Sequence, residues 1–320
     1  MLHGEEKITT EDNTAESSNR KSDLRKGYTA AVLFSVLVGF SFLAVKICQM
    51  STDSVKVLCY RYDFAFAALV ILLACRVIKV DIRHKPKGKL MLTAVFYVGF
   101  MALQVIGLMF ATSVEGAIIF AMIPILVKII ASLFLKERAT WQENIFVCLT
   151  VLALLVMIIM GTTDVTIDPI GTVLLILSSI AMALSNVFMR YARHDYRPAE
   201  ITTTIVIMGV IAFNIAAVVT GIINGESPAD YFRPLADPSV FISGAYLGIG
   251  CILLSAYIMS YMLSKMEAVN ATIFGNVSTA ISIVAGVIVL GEPLMWYHIV
   301  CTVLIIAGVV GMSLCGMKRS

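Results

Sequence analysis

The second half of this chain repeats the first half at an offset of 155 residues. The segment LKERATW at 135–141 returns as LGEPLMW at 290–296, with its leucine, its glutamate and its tryptophan in matching places. Near the start of each copy the offset is 144 residues, and Ser41 corresponds there to Ser185. If each copy holds five membrane spans, an odd number, the second copy must run upside down relative to the first. Inverted repeats of this kind are typical of alternating-access transporters, which hold their substrate near the midplane between the repeats.

Long apolar runs dominate the chain, which is 59% hydrophobic and only 14% charged. A soluble domain cannot bury that much apolar surface, whereas lipid can solvate it. A bilayer core requires about 20 apolar residues per helix. The sequence therefore predicts an all-α integral membrane protein with ten transmembrane helices in two inverted five-helix repeats. The predicted spans are 28–48, 54–75, 90–111, 116–135, 142–160, 170–190, 201–222, 241–263, 270–290 and 295–315.

Basic residues lie mostly on one side of this arrangement. If the N-terminus is cytoplasmic, the inner side receives most of the 24 lysines and arginines, while the outer loops keep only Lys56 and Arg233. Cytoplasmic loops carry such an excess, so we expect both termini in the cytoplasm and a multi-pass protein of the cell membrane. We divide the chain into a disordered cytoplasmic tail at 1–26, a first repeat at 27–161 and a second repeat at 168–316.

Motifs for catalysis or cofactor binding do not occur in the sequence. None of the seven cysteines forms a CxxC pair, no histidine has HExxH spacing, and there is no GxxxxGK[ST] loop. These are the spacings that redox centres, metal sites and phosphate-binding loops require. We therefore expect no enzymatic activity, no metal site, no organic cofactor and no disulfide framework.

Charged side chains inside the spans are the first candidates for function, because each costs at least about 2.5–3.5 kcal/mol at the centre of a membrane helix. Lys128 lies halfway along the run 116–135, with no acidic residue within one helical turn. A cavity-facing ammonium there would bind a carboxylate or exchange a proton. The alternative is a lysine that snorkels to the inner face or pairs with a carboxylate on another helix. Pro124, four residues earlier, is expected to kink this helix.

Other charges are expected to be structural. Arg61 and Asp63 fall on different faces of one helix, and we favour an ion pair between Asp63 and Lys46 on the adjacent helix. The repeat mates Glu137 and Glu292 lie in turns between helices. They are expected to cap the next helix or to bond a loop amide, because an acid near a helix N-terminus is favourable.

The chain resembles the EamA-type branch of the drug/metabolite transporter superfamily over residues 27–316. The matching segments are VGFSFLAVKI at 38–47, YRYDFAFAAL with its arginine at 60–69, IPILVKIIASLFLKER at 123–138, LGIG at 247–250 and IVAGVIVLGEPL at 283–294. The resemblance implies ten helices around a central cavity and secondary transport of small metabolites, frequently export of amino acids or related compounds. By position in the family, the cavity candidates are Lys128, Phe40, Ser41, Gln104, Asn186, Tyr257 and Asn276. The chain departs from the family pattern at Lys128, and the second repeat has Thr279 where the first has Pro124.

These observations predict a secondary transporter that exports an amino acid or related carboxylate by alternating access, with Lys128 facing the substrate carboxylate. The expected partners are a small-molecule substrate and the lipid bilayer, and no nucleic acid. Protons, a counter-solute and a second copy in a homodimer are open alternatives as further partners.

Two other functions are compatible with the sequence. One is transport of cationic or lipophilic compounds, such as choline-like amines or drugs, which Glu115 would recruit and aromatic rings would bind through cation–π contacts. The rings in question are Phe40, Phe120, Tyr257 and Phe274. The other is a non-transporting membrane receptor or scaffold, which the short loops disfavour.

Overall fold

The computed structural model describes residues 26–27, 29–81, 87–135, 168–265 and 274–317, with a few isolated helical residues between 141 and 160. The predicted tail at 1–26, apart from Lys26, and most of the predicted span at 142–160 lie outside the described residues. Within the described ranges all regular structure is helical, which confirms the all-α prediction.

Seven of the described stretches are long and apolar enough to cross a membrane, so the chain is a multi-pass membrane protein. We call the side on which the first helix ends and the second begins the outer side, after the charge pattern. The helices of the first repeat are α1 (Thr29–Ser51), α2 (Ser54–Ala74), α3 (Lys87–Phe110), α4 (Ser113–Phe120) and α5 (Ile123–Leu135). Those of the second repeat are α6 (Pro169–Ala192), α7 (Pro198–Asn224), the short α8 (Pro228–Phe232), α9 (Pro238–Ser264), α10 (Gly275–Leu290) and α11 (Trp296–Met317).

The kink predicted at Pro124 coincides with a two-residue interruption between α4 and α5. Helix α4 ends at Phe120, and a turn at 121–122 precedes α5. Pro124 is the second residue of α5, where a missing N–H leaves no helical bond unmade. For the same reason it cannot donate to the carbonyl group of Phe120. Thr279 occupies the matching place in the second repeat, and α10 runs without a break from Gly275 to Leu290.

Helix α1 is also interrupted, at Phe40, whose φ of −91° and ψ of 2° are not helical. The carbonyl groups beside this interruption bond to the second repeat. That of Leu37 accepts from the Tyr246 hydroxyl, and that of Gly39 accepts from Ser282 Oγ at 2.5 Å. Irregular backbone is tolerated at membrane depth only where the protein satisfies its polar groups. The interruption therefore joins α1 to α9 and α10 near the centre of the molecule.

Helices α3 and α6 pack side by side and join the two repeats. Ser178 Oγ donates to the Phe100 carbonyl at 3.0 Å, and Ser185 Oγ donates to the Thr93 carbonyl at 3.0 Å. Hydroxyl groups often join membrane helices in this way. Because these bonds hold the two helices in one register, they also set the depth of the amide side chains that α3 and α6 carry into the interior.

Candidate substrate site

A central cavity of about 90 Å³ lies where the two repeats meet, which is room for several water-sized groups. It is lined by residues of α1, α2, α3, α4, α5, α6, α9 and α10. Its polar lining consists of Ser41, Arg61, Gln104, Asn186, Ser255, Ser278 and Thr279. Its aromatic lining consists of Phe34, Phe42, Tyr97, Phe100 and Phe120.

Arg61 is the one charged side chain among the described residues that line this cavity. It is only 1% exposed, yet its Nε and Nη1 atoms have no hydrogen-bond partner within the described part of the chain. Buried polar groups are nearly always bonded, and an unpaired buried charge costs several kcal/mol. The guanidinium therefore presents free donors to any anion that enters, and its planar geometry suits a carboxylate. Facing it, α9 widens into a π-helical segment at Tyr246–Leu254, a feature frequent at functional sites.

Two amide side chains add further unpaired polar atoms. Gln104 Oε1 on α3 and both side-chain atoms of Asn186 on α6 have no partner among the described residues, and both residues are buried. The hydroxyl of Ser278 on α10 is also unpaired there. Since each amide offers a donor and an acceptor, these groups can bond a polar substituent on a molecule whose anionic end contacts Arg61.

Aromatic rings form one wall of the cavity. The ring centroids of Phe42 and Phe120 are 5.2 Å apart, those of Phe100 and Phe120 are 5.7 Å apart, and those of Tyr97 and Phe100 are 5.6 Å apart. Contacts at these distances are favourable between aromatic rings. The wall gives the apolar part of a substrate a surface opposite the polar groups.

The ion pair predicted between Lys46 and Asp63 is wrong. Asp63 accepts a bond of 2.7 Å from Asn214 Nδ2 on α7 and another from the hydroxyl of Tyr231 in α8. Lys46 Nζ donates to the carbonyl oxygen of Leu108 at 2.5 Å. Because the interruption in α1 and the position of α8 decide which groups meet, pairing by helix adjacency does not predict these contacts. Asp63 and Arg61 do lie on different faces, as expected.

At the outer end of α4, the glutamates Glu115 and Glu292 bond to different groups. Glu115 is buried and forms a capping box with Thr112, whose backbone N–H donates to Glu115 Oε2 at 2.9 Å. Glu292 bonds the backbone amides of Ser113 and Val114. The prediction has Glu292 cap the next helix or bond a loop amide, whereas the amides that it bonds belong to the first residues of α4 in the other repeat. Its repeat mate Glu137 lies outside the described residues.

Comparison with known proteins agrees with this architecture. Residues 25–159 and 169–314 each match the EamA-like transporter family. The chain belongs to that family. The EamA-like transporter is 33% identical over 289 residues to the "Uncharacterized transporter YcxC" of Bacillus subtilis (strain 168), covering 90% of this chain and 92% of the relative. It is 22% identical over 297 residues to the "Uncharacterized transporter YyaM" of the same organism, covering 89% of this chain and 93% of that relative.

A solved crystal structure has the same fold as the EamA-like transporter. The two chains superpose with a TM-score of 0.63 at 14% identity, and the match covers 94% of this chain and 99% of the other. At this identity the comparison speaks for the fold alone. The matches thus establish a transporter family and a membrane fold, and they say nothing of the substrate.

The other predicted site residues of the EamA-like transporter lie elsewhere. Lys128 is half-buried on α5 and is not among the residues that line the central cavity. Phe40, at the interruption of α1, is 42% exposed. Tyr257 is 40% exposed and lines a separate apolar groove beside Leu69. Asn276 is the second residue of α10, and its side chain lies outside the described residues.

Arg61 is the residue of this site that reasoning from the sequence assigned to a structural role. Its charge within an apolar run was visible, and so was the family resemblance of the segment that contains it. The decisive signal is that two of its guanidinium nitrogens have no partner among the described residues, and that signal requires the tertiary structure.

Proposed function

We propose that the EamA-like transporter is a secondary carrier that moves an amino acid or related small carboxylate through the central cavity by alternating access. The direction that the family resemblance implies is export. The observation that carries the proposal is Arg61, a buried guanidinium in the cavity with two nitrogen atoms unpaired among the described residues.

A carboxylate substrate resolves the energetic cost of this arrangement. A charge-assisted hydrogen bond is roughly twice as strong as a neutral one, and an arginine forms such bonds with a carboxylate in a favourable planar geometry. The substrate carboxylate therefore supplies a counter-charge that the described residues do not give to Arg61. A cavity lined by such a guanidinium favours a guest that carries a carboxylate, whether the guest is an anion or a zwitterion.

The remaining lining suits a molecule with a polar group and an apolar body. Gln104 offers an acceptor, and Asn186 offers a donor and an acceptor, that have no partner among the described residues. The rings of Phe42, Phe100 and Phe120 offer the apolar wall. An α-amino or α-hydroxy carboxylate has this distribution of groups, with its charge at one end and hydrogen-bonding atoms beside it.

Two features rank the competing hypotheses below this one. Lys128 ranks below Arg61 as the counter-charge because it is not among the cavity-lining residues. A cationic substrate ranks below an anionic one because a guanidinium lines the cavity, while Glu115 is bonded in its own capping box.

Thermal unfolding of the purified protein in detergent tests the proposal. A panel of amino acids, organic acids and amine cations is titrated against the wild type, Arg61→Gln and Lys128→Met. A ligand that binds only the native state stabilises it by about 2.7 kcal/mol at 100 times its dissociation constant. We expect carboxylates to raise the Tm of the wild type and of Lys128→Met, and to leave Arg61→Gln unchanged.

Each other result contradicts part of the proposal. Stabilisation by carboxylates that survives in Arg61→Gln and disappears in Lys128→Met would transfer the anchor to Lys128. Stabilisation by amine cations in all three proteins would replace the carboxylate with the cationic substrate class. Arg61→Lys keeps the charge, so partial recovery of the carboxylate effect in that variant separates a binding defect from misfolding.

A further inference from the structure

Glu292 connects the two repeats at the outer side of the membrane. Its Oε1 atom accepts from the Ser113 backbone N–H at 2.9 Å. Its Oε2 atom accepts from Ser113 Oγ at 2.7 Å and from the Val114 backbone N–H at 3.0 Å. Three bonds therefore hold one carboxylate at the N-terminus of α4, where the helix dipole also favours a negative charge.

Two glycines bring the carboxylate to this place. Gly291 ends α10 in the left-handed conformation, with φ at +64°, and so turns the chain back over the helix end. Gly286, five residues before Gly291, has no side chain and so leaves space for the contact between Glu292 and Ser113. A Cβ atom there would lie 2.5 Å from Ser113 Oγ and 2.8 Å from Glu292 Oε2.

The helices that Glu292 joins lead directly to the central cavity. Helix α4 packs along α10 and ends at Phe120 in the aromatic wall, while α10 carries Ser278 and Thr279 in the polar lining. Both helices begin or end at the outer side and converge on the cavity from there. A path from the outer side into the cavity between them requires that their outer ends separate.

Two outer-side contacts, Lys56 of α2 with Glu226 and Ser51 of α1 with Asp237, also join the two repeats, but neither involves α4 or α10. Two other bonds at the outer side stay within the first repeat. Gln49 Nε2 on α1 donates to the Val105 carbonyl of α3 at 2.9 Å, which is a contact within the first repeat. The bond from Lys46 to Leu108 is also within the first repeat. Glu292 therefore differs from them because its carboxylate joins α4 of the first repeat to α10 of the second.

We infer that Glu292, Ser113 and Val114 form an outer latch, and that the carrier opens to the outer side only when the Glu292 carboxylate leaves the N-terminus of α4. The latch concerns access to the cavity and does not depend on which substrate is carried.

Cys251, which lines the cavity, is a native reporter for outside access. Right-side-out membrane vesicles are treated with the impermeant reagent 2-sulfonatoethyl methanethiosulfonate, and modification of Cys251 is followed by peptide mass spectrometry. Glu292→Gln weakens the latch by removing the charge. Gly286→Ala forces its partners apart without changing the carboxylate. Glu226→Gln is the matched control, because Glu226 is another outer glutamate, bonded to Lys56 at 2.9 Å and not to α4 or α10.

We expect Cys251 to be modified about tenfold faster in Glu292→Gln and Gly286→Ala than in the wild type, which is the scale of one lost charge-assisted bond. Glu226→Gln is expected to react at the wild-type rate. Labelling of the detergent-solubilised protein defines the full reactivity of Cys251. If Cys251 does not react in detergent, Ser41→Cys replaces it as the reporter. Wild-type rates in both latch variants, or an equal increase in Glu226→Gln, would overturn the inference. Stabilisation by carboxylates is measured separately in the latch variants. The labelling rate of Cys251 therefore tests the latch, and the carboxylate response tests the role of Arg61.

Discussion

Gly248 lies directly against the backbone of Arg61. A Cβ atom added at Gly248 would be 2.4 Å from the Arg61 carbonyl oxygen, a distance that side-chain motion cannot relieve because the contact is to backbone. The glycine stands in the π-helical segment of α9, so the second repeat sets the position of the charge that the first repeat carries. Substitution at Gly248 therefore bears on substrate binding as well as on packing.

Gly248→Ala is expected to displace α2 and Arg61 with it. Overpacking of this kind costs about 1–3 kcal/mol, and we expect a lower Tm together with weaker stabilisation by carboxylates. Gly99→Ala is the matched control, because a Cβ atom at Gly99 has nothing within 4 Å. Thermal unfolding with and without carboxylate measures both effects. An unchanged carboxylate response in Gly248→Ala would show that the glycine does not position the guanidinium.

Arg61→Met is expected to stabilise the ligand-free protein while it abolishes carboxylate binding. Replacing a buried charge by an apolar side chain of similar volume is often stabilising by about 1–4 kcal/mol. Two nitrogen atoms of Arg61 have no partner among the described residues, so their removal breaks no hydrogen bond there. Arg233→Met, at an exposed arginine, should change stability by less than about 0.5 kcal/mol. Melting temperatures without ligand decide the matter, and a strong destabilisation by Arg61→Met would mean that the charge holds the fold together.

Asn186 and Ser185 are neighbours on α6 with opposite expected roles. Both side-chain atoms of Asn186 are unpaired among the described residues, whereas the Ser185 hydroxyl bonds the Thr93 carbonyl at 3.0 Å. Asn186→Leu should weaken substrate binding about tenfold without lowering the Tm, since a hydrogen bond contributes about 1 kcal/mol and its loss leaves the partner unsatisfied. Ser185→Ala should lower stability by about 1 kcal/mol without changing affinity. The reverse pattern in binding titrations and unfolding would place Asn186 outside the site.

Tyr231 should make a contribution to stability that disappears at high pH. Burial and the neighbouring Asp63 carboxylate raise the pKa of Tyr231 well above its ordinary value. The native state therefore keeps a proton that the unfolded state releases above pH ~10, so the contribution is complete below pH ~10 and falls as the pH rises further. The difference in unfolding free energy between wild type and Tyr231→Phe should narrow above pH ~10. A constant difference from pH 8 to pH 12 would contradict the prediction.

Properties that belong to one stretch of chain are predictable from the sequence. Apolar runs of membrane length, an internal repeat and a proline in an otherwise helical segment each carry a local physical consequence, and the described helices follow them. Ser41, Gln104 and Asn186 were also placed in the cavity lining, by family position, and their role in binding stays a prediction. The sequence predicts that Glu292 caps the next helix or bonds a loop amide, and it does not predict the contact with α4 of the other repeat.

That this chain crosses a membrane several times and consists of two related repeats follows from the sequence alone, because the cost of exposing apolar groups to water, or charged groups to lipid, is a property of each segment. That Arg61 faces the cavity, and that Asp63 faces α7 and α8, becomes apparent once the helices are packed. Helical periodicity separates the faces of a helix, but it does not say which face meets lipid, protein or a cavity. That assignment depends on the neighbours that each helix acquires when the two repeats pack.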